Sequence, residues 1–82
     1  LLASDIDECD QEFIEHSNGR TSEGFFYLKT GQGLKYSIRR SLAAAPYADL
    51  LWWETSKPCL KQAKQFAETI RKEFPDKIMV YN

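Results

Sequence analysis

The sequence predicts an α/β fold in which two helices alternate with two parallel strands. Two amphipathic patterns, near 33–45 and 58–74, predict the helices, and two short apolar runs, near 49–54 and 78–82, predict the strands. The order helix–strand–helix–strand is the rhythm of βαβ units, whose crossovers are right-handed. A chain of 82 residues buries only about 60–65% of its unfolded surface, so we expect a thin core.

The first helix is predicted from three apolar residues that lie four positions apart, Leu34, Ile38 and Leu42. This spacing places them on one helix face. Pro46 ends the helix because it lacks the backbone N–H that a further turn needs.

The second helix has the clearest periodicity in the chain. Its apolar residues recur at steps of three and four and so form one face: Leu60, Ala63, Phe66, Ala67, Ile70 and Phe74. Ser56 is suited to the N-cap, and Pro58 is suited to the first turn. Pro75 ends the helix, since it disfavours helical geometry at the residue before it.

The two apolar runs do not alternate with polar residues, which is typical of strands buried on both faces of a parallel sheet. Residues 1–30 are less regular. We predict a long polar loop over 5–24, and either a short strand or an aromatic packing segment at Phe25–Leu28. A loop of this length in a small domain is usually functional.

Charge is distributed unevenly along the chain. Residues 1–15 carry six acidic side chains and no Lys or Arg, whereas the later Lys and Arg residues lie among apolar positions at helical spacing. The basic residues are therefore expected on solvated helix faces, and no nucleic-acid partner is expected.

The chain has no sign of a membrane span or a secretory signal. No apolar run approaches the roughly 20 residues that a membrane-spanning helix needs, so no membrane partner is expected. The sequence begins Leu1-Leu2-Ala3, without Met, and we expect it to be the interior of a longer protein. Cys9 and Cys59 lack the spacing of a metal or redox pair, which fits a reducing compartment.

Polar residues follow both predicted strands. Glu54 comes after the first strand and Asn82 after the second. Because parallel strands end at the same edge of a sheet, this carboxylate and this carboxamide should converge where α/β sites form. The alternative, which spacing alone leaves equally open, is that the Glu54 carboxylate caps the N-terminus of the following helix, where an anion is favourable.

Several segments, in order along the whole chain, resemble the isocitrate lyase family. They are Ser4–Asp7, Asp10–Ile14, Gly19–Phe25, Ala45–Leu50, Trp52–Thr55, Phe74–Lys77 and Tyr81–Asn82. Their order and spacing carry the resemblance, and the Trp-x-Glu-Thr run is among the most specific pieces. Cys59 departs from the family pattern, which commonly has Asp after Pro58.

The resemblance implies a site residue by residue. Arg20 would bind a substrate carboxylate with its planar guanidinium. Glu54 would hold water in the shell of an active-site Mg²⁺, and Mg²⁺ is the implied cofactor. Asn82 would donate a hydrogen bond to the carboxylate of succinate. Trp52 would pack beside the substrate, although a core Trp is the rival interpretation.

The resemblance also implies the fold and the reaction. Residues 1–82 would be an internal fragment of one catalytic (β/α)₈ TIM barrel, with 1–30 mostly loop and active-site segment and 31–82 an αβαβ unit. The parent would be a cytoplasmic homotetramer that cleaves isocitrate to glyoxylate and succinate by a reversible, Mg²⁺-dependent retro-aldol reaction. The family's catalytic cysteine loop is absent from these residues, so we expect the chain alone to be inactive.

Two alternatives stay open from the sequence. One keeps the superfamily and changes the substrate, as in methylisocitrate lyase or a related carbon–carbon lyase. The other is a free-standing, non-catalytic βα interaction module, which would have to cover the open edges of its own sheet. Exposure of Trp52, Ile78, Val80 and the faces of both helices would favour a fragment, and their burial under residues 1–30 would favour the module.

Overall fold

The structure is a computed structural model that describes residue 1 and residues 7–82. The Ser4–Asp7 segment of the family resemblance therefore lies outside the described residues except for Asp7.

The chain consists of two compact units, Leu1–Tyr36 and Ser37–Asn82. The elements are, in chain order, a 3₁₀ helix at Glu8–Phe13, strand β1 at Ile14–Arg20, strand β2 at Phe26–Leu28, helix α1 at Gly33–Ala44, a 3₁₀ turn at Ala45–Tyr47, strand β3 at Leu50–Trp53, helix α2 at Leu60–Glu73 and strand β4 at Ile78–Tyr81.

The second unit contains the parallel strand pair that the sequence predicts. Strands β3 and β4 are hydrogen-bonded neighbours, with Leu50 opposite Ile78 and Trp53 opposite Tyr81, and α2 connects them along the chain. Both predicted helices and both predicted strands are present with boundaries close to those expected. The prediction of a mixed α/β architecture with a parallel pair is thus confirmed.

The core of the second unit is centred on Trp53. Its ring is 8% exposed and stacks on Phe66 at 4.7 Å and on Tyr81 at 5.1 Å between ring centroids. The indole N–H donates to Ser37 Oγ at 3.1 Å, which satisfies the polar atom of an otherwise apolar side chain. Ile70, from the same face of α2 as Phe66, is fully buried.

One face of the parallel pair is open. Leu51 and Trp53 are buried, whereas the alternate residues Leu50 and Trp52 are 45% and 60% exposed. Their neighbour Ile78 on β4 is 64% exposed. The prediction that both faces of the strands are buried is therefore wrong for this chain. Phe66 of α2 packs on the Trp53 side of the pair, and the opposite side stays exposed.

Helix α2 begins later than the sequence predicts. Its N-cap is Cys59, so Ser56 and Pro58 precede the helix instead of starting it. Residues 55–59 are held outside the helix by hydrogen bonds to the Tyr81 hydroxyl and to Lys57 O. The predicted end is close, since the last helical residue is Glu73 and the N–H of Phe74 still donates to Ile70 O at 2.8 Å.

In the first unit, a 3₁₀ helix and a strand occupy most of the segment that the sequence predicts to be a loop. The polar loop predicted over 5–24 is wrong for most of its length, because a 3₁₀ helix and β1 occupy Glu8–Arg20. Strand β1 pairs antiparallel with β2, and the register shifts between Glu15 and Arg20. Ile14 and the preceding Phe13 are each 1% exposed and anchor this unit.

The hairpin turn has a local cause in the sequence. The N–H of Thr21 donates to Phe25 O at 2.9 Å, and the N–H of Gly24 donates to Thr21 O at 2.9 Å. Gly24 has φ of +90°, a backbone conformation that side chains with a Cβ rarely adopt. The glycine thus allows the chain to reverse between β1 and β2.

Candidate functional site

The candidate site lies at the carboxyl ends of β3 and β4. Glu54 and Asn82 directly follow the two strands, and Asn82 Nδ2 donates to Glu54 Oε1 at 3.4 Å. The prediction that both lie at the same edge of the sheet is confirmed. The long donor–acceptor distance marks a weak contact, so neither group is locked by the other.

Main-chain hydrogen bonds fix the backbone beneath these two side chains. The N–H of Asn82 donates to Trp53 O at 3.0 Å, and the N–H of Thr55 donates to Asn82 O at 3.2 Å. The parallel ladder therefore continues one residue past each strand. The Cα positions of Glu54 and Asn82 are set by the ladder, while their side chains stay exposed.

The structure decides between the two interpretations of Glu54. The N-cap of α2 is Cys59, and the first turn of the helix contains no acidic residue. The helix dipole acts mainly within the first turn, which Glu54 does not reach. The helix-capping alternative is therefore wrong, and Glu54 is an exposed carboxylate at the strand edge.

This pair of groups suits oxygen-rich, anionic chemistry. A carboxylate offers only acceptor oxygens, which can hold the water molecules of a hydrated Mg²⁺. The amide of Asn82 offers N–H donors, which can bind a substrate carboxylate. Because both side chains are exposed, a small ligand can reach them from solvent.

Tyr81, the residue just before Asn82, forms hydrogen bonds to the segment that follows Glu54. Tyr81 Oη lies 2.9 Å from Thr55 Oγ1 and accepts from the N–H of Cys59 at 3.0 Å. Thr55 Oγ1 also donates to Lys57 O at 2.8 Å. Reasoning from the sequence assigned Tyr81 no role, since neither its position in an apolar strand nor its spacing predicts these contacts.

Trp52 lies on the open face of the parallel pair and not in the core. It is 60% exposed, beside Leu50 and opposite Val80 in the strand register. The rival interpretation of Trp52 as a core residue is not supported, because the neighbouring Trp53 fills that position. An exposed indole two residues before Glu54 in the chain is available to contact a ligand.

Arg20 is the last residue of β1, in the first unit. Its guanidinium lies 4.2 Å from the centroid of the Phe26 ring, a cation–π geometry. The Thr21–Phe25 turn follows it directly. The side chain is exposed, and its proposed role toward substrate remains a prediction.

Two carboxyl groups of the first unit have lowered pKa values. The hydroxyl and the backbone N–H of Ser17 both donate to Glu15 Oε1, the N–H at 2.7 Å, and they lower the pKa of Glu15. In the turn after Arg20, the backbone N–H of Glu23 and then the hydroxyls of the two preceding residues lower the pKa of Glu23. Both carboxylates are therefore anionic at neutral pH.

A separate cleft of about 330 Å³ lies in the second unit, away from the strand edge just described. It adjoins the amino-terminal ends of β3 and β4, since Asp49 precedes one strand and Lys77 the other. Its lining residues are Asp49, Glu73, Phe74, Pro75, Asp76 and Lys77. The Lys77 ammonium donates to Ala48 O, so this cation already has a partner in the fold.

None of the helices in the described part of the chain is both long and apolar enough to cross a membrane.

Comparison with known proteins identifies relatives along the whole chain. A family model described as the isocitrate lyase family matches residues 2–82. The chain is 54% identical to an isocitrate lyase of Halalkalibacterium halodurans and 50% identical to one of Escherichia coli, in each case over 82 residues and 18% of the relative. It is 48% identical to a bifunctional glyoxylate cycle protein of Caenorhabditis elegans, of which it covers 8%. The chain therefore spans less than a fifth of the length of these relatives.

Proposed function

The chain belongs to the isocitrate lyase family, and from this premise we propose that it supplies part of the active site of a Mg²⁺-dependent enzyme that cleaves isocitrate to glyoxylate and succinate. The observation that carries the proposal is the convergence of Glu54 and Asn82 at the carboxyl edge of a parallel strand pair. This edge is where parallel α/β folds bind their ligands.

The proposed parent fold is a (β/α)₈ barrel in which β3 and β4 are neighbouring strands. The parallel pairing and the helix that connects the strands support this assignment. So does the open face, because barrel strands have one face turned toward the interior of the barrel. Trp52 and Ile78 are exposed, which argues against a free-standing interaction module that would cover them, whereas Val80 is half-buried and the face of α2 at Phe66 and Ile70 is buried. A cytoplasmic homotetramer is the assembly that we expect for the parent.

Glu54 is the residue that fits a magnesium site. Its carboxylate is exposed and accepts one weak hydrogen bond from Asn82, so it has acceptor capacity for metal-bound water. Mg²⁺ retains several waters and takes few protein ligands, which suits a carboxylate that acts through water. When bound, Mg²⁺ would polarise the glyoxylate half of the substrate as a Lewis acid.

The other proposed site residues bind and orient the substrate. Asn82 donates from its amide to the succinate carboxylate, and Trp52 packs against the substrate from the open face. Arg20 pairs with a second carboxylate through two parallel N–H donors, a geometry that lysine cannot reproduce.

Replacement of Glu54 by Gln tests the proposal in the full-length protein that carries this segment. Glu54→Gln keeps the size of the side chain and removes its charge, and we expect activity to fall about 10–100-fold, as for other residues that hold metal-bound water. The Mg²⁺ concentration for half-maximal activity should rise in parallel.

Glu68→Gln is the matched control for that experiment. Glu68 is an exposed carboxylate on α2 that pairs weakly with Lys64 at 3.9 Å, and its replacement should leave activity unchanged. Full activity of Glu54→Gln with an unchanged Mg²⁺ requirement would contradict the proposal. Faster cleavage of methylisocitrate than of isocitrate by the unmodified protein would change the proposed substrate while keeping the site.

A further inference from the structure

The segment that leads from β3 to α2 is held by the hydroxyl of Tyr81. Residues 54–59 adopt neither helix nor strand, and Glu54 is the first of them. Tyr81 Oη contacts this segment at two points, 2.9 Å from Thr55 Oγ1 and 3.0 Å from the N of Cys59. The conformation of the segment thus depends on a side chain from the other strand.

Chemistry fixes the direction of every hydrogen bond in this cluster. The N–H of Cys59 can only donate, so Tyr81 Oη accepts from it. Lys57 O can only accept, so the Thr55 hydroxyl donates its single proton there. The remaining contact must then run from the Tyr81 hydroxyl to Thr55 Oγ1. Each hydroxyl donates once and accepts once, and the cluster ties both ends of the segment to one oxygen.

The tyrosine ring makes that oxygen a fixed point. Tyr81 stacks on Trp53 with ring planes 22° apart, and Trp53 is buried and itself stacked on Phe66. The backbone of Tyr81 lies in the parallel ladder opposite Trp53. A hydroxyl carried on a ring that is held by backbone and by stacking moves little, so it can define the path of residues 54–59.

We propose that Tyr81 is a positioning residue: its hydroxyl, acting through Thr55, holds the path of residues 55–59 and so, together with the ladder that fixes the Glu54 Cα, aims the Glu54 carboxylate at the strand edge. This inference rests on the proposed role of Glu54 toward Mg²⁺. Tyr81 does not touch the metal or the substrate in this scheme. Its contribution is that the carboxylate is already oriented before a hydrated ion arrives, which lowers the cost of binding.

The test is Tyr81→Phe in the full-length protein, which removes the hydroxyl and keeps the stacked ring. We expect Mg²⁺ alone, titrated by calorimetry, to bind about three- to tenfold more weakly, which corresponds to the net loss of about one neutral hydrogen bond. Amide hydrogen exchange of the 54–60 peptide should become faster. Thr55→Val removes the partner hydroxyl and should reproduce both effects, which also provides a second variant if Tyr81→Phe folds poorly.

The double variant Tyr81→Phe with Thr55→Val should weaken Mg²⁺ binding by less than the product of the two single effects, since both changes break the same Tyr81–Thr55 contact while each also removes one contact of its own. Tyr47→Phe is the matched control, because Tyr47 is 92% exposed and should leave Mg²⁺ binding and exchange unchanged. Wild-type Mg²⁺ affinity in both Tyr81→Phe and Thr55→Val, with weakened affinity in Glu54→Gln, would overturn the role of Tyr81 and keep that of Glu54. Wild-type affinity in Glu54→Gln as well would overturn both proposals.

Discussion

The charge at Asn82, like that at Glu54, can be changed with almost no change in the shape of the side chain. Asn82→Asp would bring a second carboxylate to the position of an amide that now donates to Glu54 Oε1 at 3.4 Å. Two carboxylates at such a distance repel each other and the anionic substrate. In the full-length protein that carries this segment, assayed in the condensing direction, we expect the KM for succinate to rise about tenfold or more, the range for losing a hydrogen bond to a charged group.

Steady-state kinetics with glyoxylate and succinate varied separately measures the effect of Asn82→Asp. Gln62→Glu on the exposed side of α2 makes the same amide-to-acid change away from the edge and serves as the control. If the KM for succinate were unchanged in Asn82→Asp, Asn82 would not be the succinate donor. If the KM for glyoxylate rose equally, the effect would not be specific to succinate, and this too would contradict the assignment.

At the scale of the elements, helix α2 stabilises the second unit through a few residues on one face. Phe66 is 3% exposed and stacks on Trp53, whereas Leu60 on the first turn is 85% exposed. Phe66→Ala should lower the free energy of unfolding by about 3–5 kcal/mol, the usual cost of removing a buried aromatic ring. Leu60→Ala should change it by no more than about 0.5 kcal/mol.

Urea denaturation followed by circular dichroism compares these two variants of α2. The comparison is well matched because both residues are apolar and belong to one helix. Equal destabilisation by the two changes would mean that the Leu60 side chain is covered in solution and that the packing around Trp53 is not the main support of the unit.

The helices and the parallel strands could be predicted because each carries a local signal. Apolar spacing predicted α2, Pro75 predicted its end, and two apolar runs predicted β3 and β4. The convergence of Glu54 and Asn82 followed from the topology alone, since parallel strands end together. These features depend on near neighbours in the chain or on a general rule of sheet geometry.

The hairpin of the first unit and the true start of α2 could not be predicted in the same way. Strand β1 is polar and mostly exposed, and its register shifts between Glu15 and Arg20, so it has no regular alternation. The start of α2 is delayed by contacts from Tyr81, which is distant along the chain. Local propensity favoured Ser56 as the cap, and a tertiary contact overrode it.

At the scale of the whole molecule, the isolated 82-residue chain should have no lyase activity. It spans 18% of two isocitrate lyases to which it is similar, and Glu54 and Asn82 offer binding groups at one exposed edge. Glyoxylate release from the purified chain, with isocitrate and Mg²⁺ and with the full-length protein as positive control, measures this. Release above the rate without protein would contradict the prediction.

The strand β3 also carries a consequence for spectroscopy. Adjacent residues of a strand point to opposite sides, so Trp52 faces outward at 60% exposure while Trp53 is enclosed at 8% between aromatic rings. Indole emission shifts to shorter wavelength when water is removed from around the ring. In Trp53→Phe only Trp52 remains, so a blue shift in that variant would report the covering of the outer side alone. In Trp52→Phe only Trp53 remains, so a blue shift in that variant would report the inner side. Two neighbouring residues thus form a built-in pair of optical probes, one for each side of the same sheet.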